Sequence, residues 1–181
     1  MRHPIGNGLN LATWTPTKKK EIYQFSPVVL ILVSLVALVI QTYLPLYLSA
    51  MSFLDLPLLV VIYFGLARRN PIEGIFSGGL IGMAQDALSR GPIGLLGSAK
   101  TVIGYVTSFV SVRFDVEHRG VRSIIIFIFY YLHFFLVYFF GTLLLGQPMS
   151  LEWSNRVIAA LVNTVVGVVL FEVLDRFRRS A

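Results

Sequence analysis

Six apolar blocks separated by short polar breaks organise the chain, and most are as long as membrane-spanning helices, far longer than strands. The first runs from Pro27 to about Leu48 and opens with PVVLILVSLVALVI, after a polar arm that carries Lys18, Lys19 and Lys20. A signal peptide would have a shorter arm and a small-residue cleavage site beyond its apolar core, so this block is expected to be a retained span. The second, Phe53 to Ala67, places Asp55 where it can cap a helix and Pro57 in the first turn, where a missing N–H costs little. About 15 residues at ~1.5 Å each reach only ~22 Å of a ~30 Å hydrocarbon core, so this helix is expected to sit against other helices. The third and fourth, Pro71 to Leu88 and Pro92 to Val112, are separated by SRGP, which leaves room only for a tight turn. The fifth, Val121 to Leu145, contains FIFYYLHFFLVYFF, and the sixth runs from Asn155 to Leu174. The expected fold is an all-α integral membrane protein with six transmembrane helices: an arm over 1–26, a helical domain over 27–175 and a basic tail over 176–181.

Composition agrees with that pattern. Hydrophobic residues make up 56% of the 181 and charged residues 13%, against roughly 25% charged in soluble domains. With no cysteine in the chain, disulfides, thiolate metal sites and thiol nucleophiles are excluded. Charge then orients the spans. Arg2, Lys18, Lys19, Lys20, Arg68, Arg69, Arg113, Arg119, Arg122, Arg176, Arg178 and Arg179 fall on the side of the N-terminus, whereas Arg90 and Arg156 fall on the other. Such a bias predicts cytoplasmic N- and C-termini. The net charge of +6 thus reads as a topology signal and a contact with anionic lipid, with no nucleic-acid role expected.

Lys100, the remaining basic residue, and Asp86 both fall inside apolar helices. They lie on either side of the same tight turn at comparable depth, so an ion pair or a water-bridged contact between antiparallel helices three and four is expected. Gly74, Gly78 and Gly82, spaced by four, and Gly94, Gly97 and Gly104 supply the small faces that let membrane helices approach closely. Two readings stay open for Asp86: a pin in a glycine-packed hairpin, or the lining of a cavity for a polar ligand or a proton. Gln41 and Asn163 are expected to form hydrogen bonds inside the bundle, His133 to be a hydrogen-bonded packing residue, and Glu172 to pair with Arg176 one turn on. The chain contains no H-E-x-x-H, G-x-S-x-G or phosphate-loop motif, and neither enzyme activity nor a cofactor or metal is expected. Aromatic bulk surrounds helix five on all sides, so some of it must meet lipid or a partner. Phe127, Tyr131, Phe134 and Tyr138, with Asn163 and Gly167 on helix six, form the candidate partner face.

The stretch DLPLLVVIYFGLARRNPIEGIFSGGLIGMAQDALSRGPIGLLGSAKTVIGYV, Asp55 to Val106, resembles the central region of the rod shape-determining MreD family. The matching features are Pro57, the G-x-x-x-D of Gly82 and Asp86, Gly91 with Gly94, and the Gly104–Tyr105 pair. Gln41 followed by Pro45, Asn163, and Arg178 with Arg179 also fit, and the likeness covers about residues 28 to 179. Lys100 departs from the family pattern. The resemblance implies a fold similar to the six-helix substrate-binding subunits of vitamin uptake transporters. It also implies a non-enzymatic role in bacterial cell elongation in the inner membrane. The implied partners are a bitopic periplasmic protein of MreC type, the MreB filament, the RodA glycosyltransferase and a class B penicillin-binding protein. The rival expectation is a small-molecule-binding subunit of a solute transporter.

Overall fold

The computed structural model describes residues 23–24, 27–89, 91–114, 116, 118–146, 153–177 and 179–180. Lys18, Lys19, Lys20, Arg90 and Arg178 lie outside the described residues. Six helices appear in order: α1 (Pro27–Tyr47), α2 (Leu56–Arg68), α3 (Pro71–Ser89), α4 (Leu95–Arg113), α5 (Arg119–Phe139) and α6 (Trp153–Asp175). A 3-10 turn, Ser49–Phe53, leads into α2, and a π-helical turn, Phe140–Leu144, extends α5. Among the described residues, five spans are long and apolar enough to cross a membrane, the second running from within the 3-10 turn through α2, Met51–Arg68. The sixth helix, α3, has a polar load of Glu73, Gln85 and Asp86 alongside its glycines.

The short second helix is the axis of the bundle. Every residue from Pro57 to Ala67 is buried, because α1, α3, α4, α5 and α6 all pack against it. A helix too short to span alone, apolar on every face, is stable only inside such a ring. Its ends are chemically defined. Asp55 caps the start by accepting from the Leu58 N–H at 3.0 Å. At the other end Arg69 adopts a left-handed conformation with φ 53°, after which Asn70 accepts from the Ile72 N–H at 3.1 Å and opens α3. Pro71 follows at the first helical position, where proline suits the geometry. Arg68 and Asn70 both bond the Glu73 carboxylate, closing the turn.

Backbone contact holds α3 on α4. A Cβ placed on Gly74 or Gly78 would collide with the carbonyl oxygens of Gly104 or Lys100, and one on Gly104 would collide with that of Gly74. Gly82 faces Leu96 and Gly97 in the same way, and Gly97 faces Met83. These five glycines are packing residues, as expected. Gly94 is not: a Cβ there would meet nothing within 4 Å, and its φ of 96° marks it as the left-handed residue that starts α4.

At the end of the bundle where α2 finishes, Asp175 of α6 accepts from Arg122 of α5 at 2.6 Å and from the Tyr63 hydroxyl of α2 at 2.9 Å. Glu172 pairs with Arg119 of α5 at 2.9 Å, and not with Arg176; a partner on the neighbouring helix displaces the i, i+4 partner. Tyr23–Gln24 and Arg179–Ser180 form a short antiparallel pairing, so the two ends of the described chain meet.

Candidate functional site

Four helices converge on the chain just before α2. Leu54 and Leu56 flank the point where the 3-10 turn becomes helix, and Gln41 of α1 bonds both: its Nε2 donates to the Leu54 carbonyl at 2.8 Å, and its Oε1 accepts from the Leu56 N–H at 3.0 Å. Asn163 of α6 does the same one residue out of register. Its Nδ2 donates to the Phe53 carbonyl at 2.7 Å, and its Oδ1 accepts from the Asp55 N–H at 2.9 Å. A helix start leaves N–H groups without intrahelical partners, and lipid offers none. These two amides supply them, each using its donor and acceptor ends together.

Lys100 of α4 and His133 of α5 complete the knot. The Lys100 ammonium is fully buried and donates to Asp55 Oδ2 at 2.8 Å. Its second neighbour is His133 Nε2 at 3.3 Å. An ammonium can only donate, so Nε2 accepts and the ring proton sits on Nδ1, which faces Asp55 Oδ2 at 3.9 Å. Asp55 is thereby a cap, a counter-ion and the point where α2, α4 and α6 meet.

The expected pairing of Asp86 with Lys100 is therefore corrected. The close α3–α4 seam brings the carbonyl of Lys100 against Gly78. Its side chain belongs to the α4 face that continues through Thr107 and Ser111, both of which meet Gly65 of α2. Asp86 instead reaches the first turn of α4. Its Oδ2 accepts from the N–H groups of Gly94 and Gly97 at 2.9 Å each, and its Oδ1 from Leu96 at 3.0 Å. The positive end of the helix dipole and three unpaired donors make a cation unnecessary.

A cavity of about 290 Å³ adjoins the knot. Gln41, Asp55 and His133 form one side of it, with Gln85 of α3, Tyr130 and Phe134 of α5, and Arg156 of α6 on the rest. Asp86 is not among its lining residues. The Arg156 guanidinium lies 4.5 Å from the Phe134 ring centroid. Among the described residues, no group of three His, Asp or Glu side chains is placed to hold a metal ion.

The candidate partner face divides. Asn163 is fully buried in the knot, and Gly167 lies against Ile126 and Leu59, so both belong to the interior and are removed from that face. Phe127 and Tyr131 pack half-buried against the core; Phe134 and Tyr138 are also half-buried. The exposed stripe of α5 is instead Ile124, Ile128, Phe135 and Phe139. Reading helix five as uniformly aromatic concealed this, because the burial pattern follows the 3.6-residue period and ignores side-chain size. Sequence reasoning also missed Asp55 as the Lys100 partner, and Gln85, Tyr130 and Arg156 as one cavity. Asp55 carried a usable signal: a buried lysine needs a carboxylate, and only three acidic residues, Asp55, Glu73 and Asp86, lie between Pro27 and Lys100. No protein-family model, curated protein or solved structure matches the chain.

Proposed function

We propose that this chain is a non-enzymatic scaffold subunit of the bacterial cell-elongation machinery, of MreD type. It would lie in the inner membrane with both termini in the cytoplasm and hold an MreC-type bitopic protein through its helices. MreB, RodA and a class B penicillin-binding protein are the wider partners. The observation that carries this reading is where the surface lies. Two residues join α2 to α3, five join α3 to α4, five join α4 to α5, and eight separate the π-helical turn from α6. A partner of this part of the chain must therefore meet helix faces. The least covered helix is α1, with only 11% of its apolar window buried. Ile31, Leu32, Leu35, Val36 and Val39 are exposed along it. Membrane helices associate through packing and interhelical hydrogen bonds, which suits a partner anchored by one helix. The twelve-to-two basic bias and the pairing of the two described ends support cytoplasmic termini.

Affinity purification from native membranes tests the reading. The expected result is stoichiometric recovery of a bitopic periplasmic protein, together with rounding of rod-shaped cells on depletion. Single cysteines at Ser26 and Ser180 should react with an impermeant thiol reagent only after lysis, and one at Ser150 in intact cells. The second reading, a solute-binding subunit, is favoured by the cavity beside the knot. It takes precedence if depleted cells keep their shape and lose uptake of a nutrient.

A further inference from the structure

The cavity beside the knot contains two polar atoms for which the fold provides no partner. Arg156 Nε and Gln85 Oε1 are both sealed from solvent and hydrogen-bonded to nothing in the protein, and both residues line the cavity. Other polar groups on its wall are engaged: Gln41 at Leu54 and Leu56, Asp55 at Leu58 and Lys100, His133 at Lys100. Buried orphans are rare in native proteins, and each carries a desolvation cost that a ligand can relieve. Here there are two of opposite kind, one donor on α6 and one acceptor on α3, on one wall system.

Charge defines what would fill the space. Asp55 and Lys100 cancel each other at 2.8 Å, which leaves the Arg156 guanidinium as the uncompensated charge of the cavity. It is stacked on Phe134 and has the Tyr130 hydroxyl beside it. A positive site with a free N–H calls for an oxyanion, and arginine suits phosphate and carboxylate. The free Gln85 carbonyl calls for an O–H or N–H near that oxyanion. Phe53, Leu96 and Val137 supply apolar wall. The volume of about 290 Å³ lies at the lower end of the ~300–1,000 Å³ typical of ligand pockets, so the occupant is the size of a headgroup.

We propose that this cavity binds an oxyanion with a neighbouring hydroxyl, the oxyanion accepting from Arg156 Nε–H and the hydroxyl donating to Gln85 Oε1. That chemistry is shared by the headgroup of an anionic glycerophospholipid and by a free phosphorylated polyol. The site stands whether or not the scaffold reading does, since it rests on the cavity alone.

The test uses the purified full chain in a neutral detergent, with binding followed by calorimetry and thermal unfolding. Three probes distinguish the sources: short-chain phosphatidylglycerol, phosphatidylcholine of the same chain length, and glycerol 3-phosphate. Saturable binding of an anionic probe is expected, with none for phosphatidylcholine. Preference for phosphatidylglycerol over glycerol 3-phosphate identifies a lipid occupant, and equal or better binding of glycerol 3-phosphate a soluble one. Arg156→Gln and Gln85→Leu should each weaken binding about tenfold, the scale of one hydrogen bond to a charged group, whereas Arg176→Gln at the opposite end should not. Gln85→Leu keeps the test decisive should Arg156→Gln fold poorly. It removes an orphan acceptor, so the unliganded protein should unfold at an equal or higher temperature while binding weakens. Failure of both anions to bind saturably, or unchanged binding in Gln85→Leu, overturns the proposal.

Discussion

Asp55 and Asp86 are both carboxylates inside a membrane bundle, and the structure satisfies them in opposite ways. Asp86 is held by three backbone N–H groups from the first turn of α4, so its partners come from the chain's own backbone geometry and not from side-chain chemistry. Beyond the Leu58 N–H that it caps, the Asp55 carboxylate is held by side chains from elsewhere, a lysine on α4 with a histidine on α5 beside it, and its backbone N–H donates to an asparagine on α6. The hairpin α3–α4 is therefore a backbone-built unit, while the entry to α2 is a side-chain-built junction. The first kind should fail when atoms are added and the second when they are removed.

The largest effect is expected where an added atom has nowhere to go. Gly78→Leu or Gly104→Leu should prevent the hairpin from closing, because the new Cβ falls on a carbonyl of the facing helix. Backbone cannot yield as a side-chain tip does, so the cost should exceed the ~1–3 kcal/mol usual for overpacking. Loss of folded protein from detergent extracts, read by size-exclusion profile, is the expected outcome. Gly94→Ala, in open space but at positive φ, should cost only about 1 kcal/mol.

Removing one member of the junction comes next. Lys100→Met leaves Asp55 as an unpaired buried charge, which costs on the order of 3–5 kcal/mol. Adding Asp55→Ser to that variant keeps a capping hydroxyl and removes the charge, so the double variant should regain most of the loss. The same cycle run with Asp86→Asn and Lys100→Met should be additive to within about 0.5 kcal/mol, since the two side chains share no partner. A strong coupling between Asp86 and Lys100 would mean that the hairpin carboxylate depends on side-chain charge after all. Asp86→Asn alone should cost about 1–3 kcal/mol, because one amide oxygen cannot replace two carboxylate oxygens accepting three bonds.

Much of this was legible in the sequence, and the parts that were not share a cause. Spans, their ends, the shortness of α2 and the glycine seam follow from local pattern: Asp55 with Pro57, Asn70 with Pro71, and glycines spaced by four. The pairing of Lys100 did not, because counting residues from the turn leaves both the register of two antiparallel helices and the rotation about each axis undetermined. Lys100 stands level with Gly78 of α3, about two turns from Asp86, and its side chain lies on the face of α4 that meets α2. Asn163 and Gly167 were misplaced on an outer face for the same reason. The cavity needed residues from α1, α3, α4, α5 and α6 at once, a combination that no spacing along one chain encodes.

The junction also has graded members, and they sharpen the contrast further. Gln41→Leu and Asn163→Leu each remove a side chain that bonds one carbonyl and one N–H at the start of α2. Each should cost about 1–3 kcal/mol, since the orphaned groups stay buried and lipid cannot replace the lost partner. Neither should alter the α3–α4 seam, so proteolysis of the two variants should begin near the Ser49–Phe53 turn and leave the hairpin protected. Cleavage that starts instead in the hairpin would show the two regions to be one cooperative unit.

The smallest effect is expected at the bundle surface. Glu172 and Arg119 form an ion pair at 2.9 Å, but their side chains are 45% and 78% exposed. Exposed pairs of this kind contribute about 0–1 kcal/mol and are screened by salt. Glu172→Gln should therefore leave the unfolding midpoint within about 4 °C of the parent at ~0.15 M salt. The contrast with Arg122 and Asp175 nearby is the informative part. That pair is mostly buried, closes to 2.6 Å and shares Asp175 with the Tyr63 hydroxyl, so Asp175→Asn should be several times more costly. Equal effects at the two sites would mean that the lower end of the bundle is held by apolar packing around Phe171 and Leu174, with neither ion pair contributing measurably.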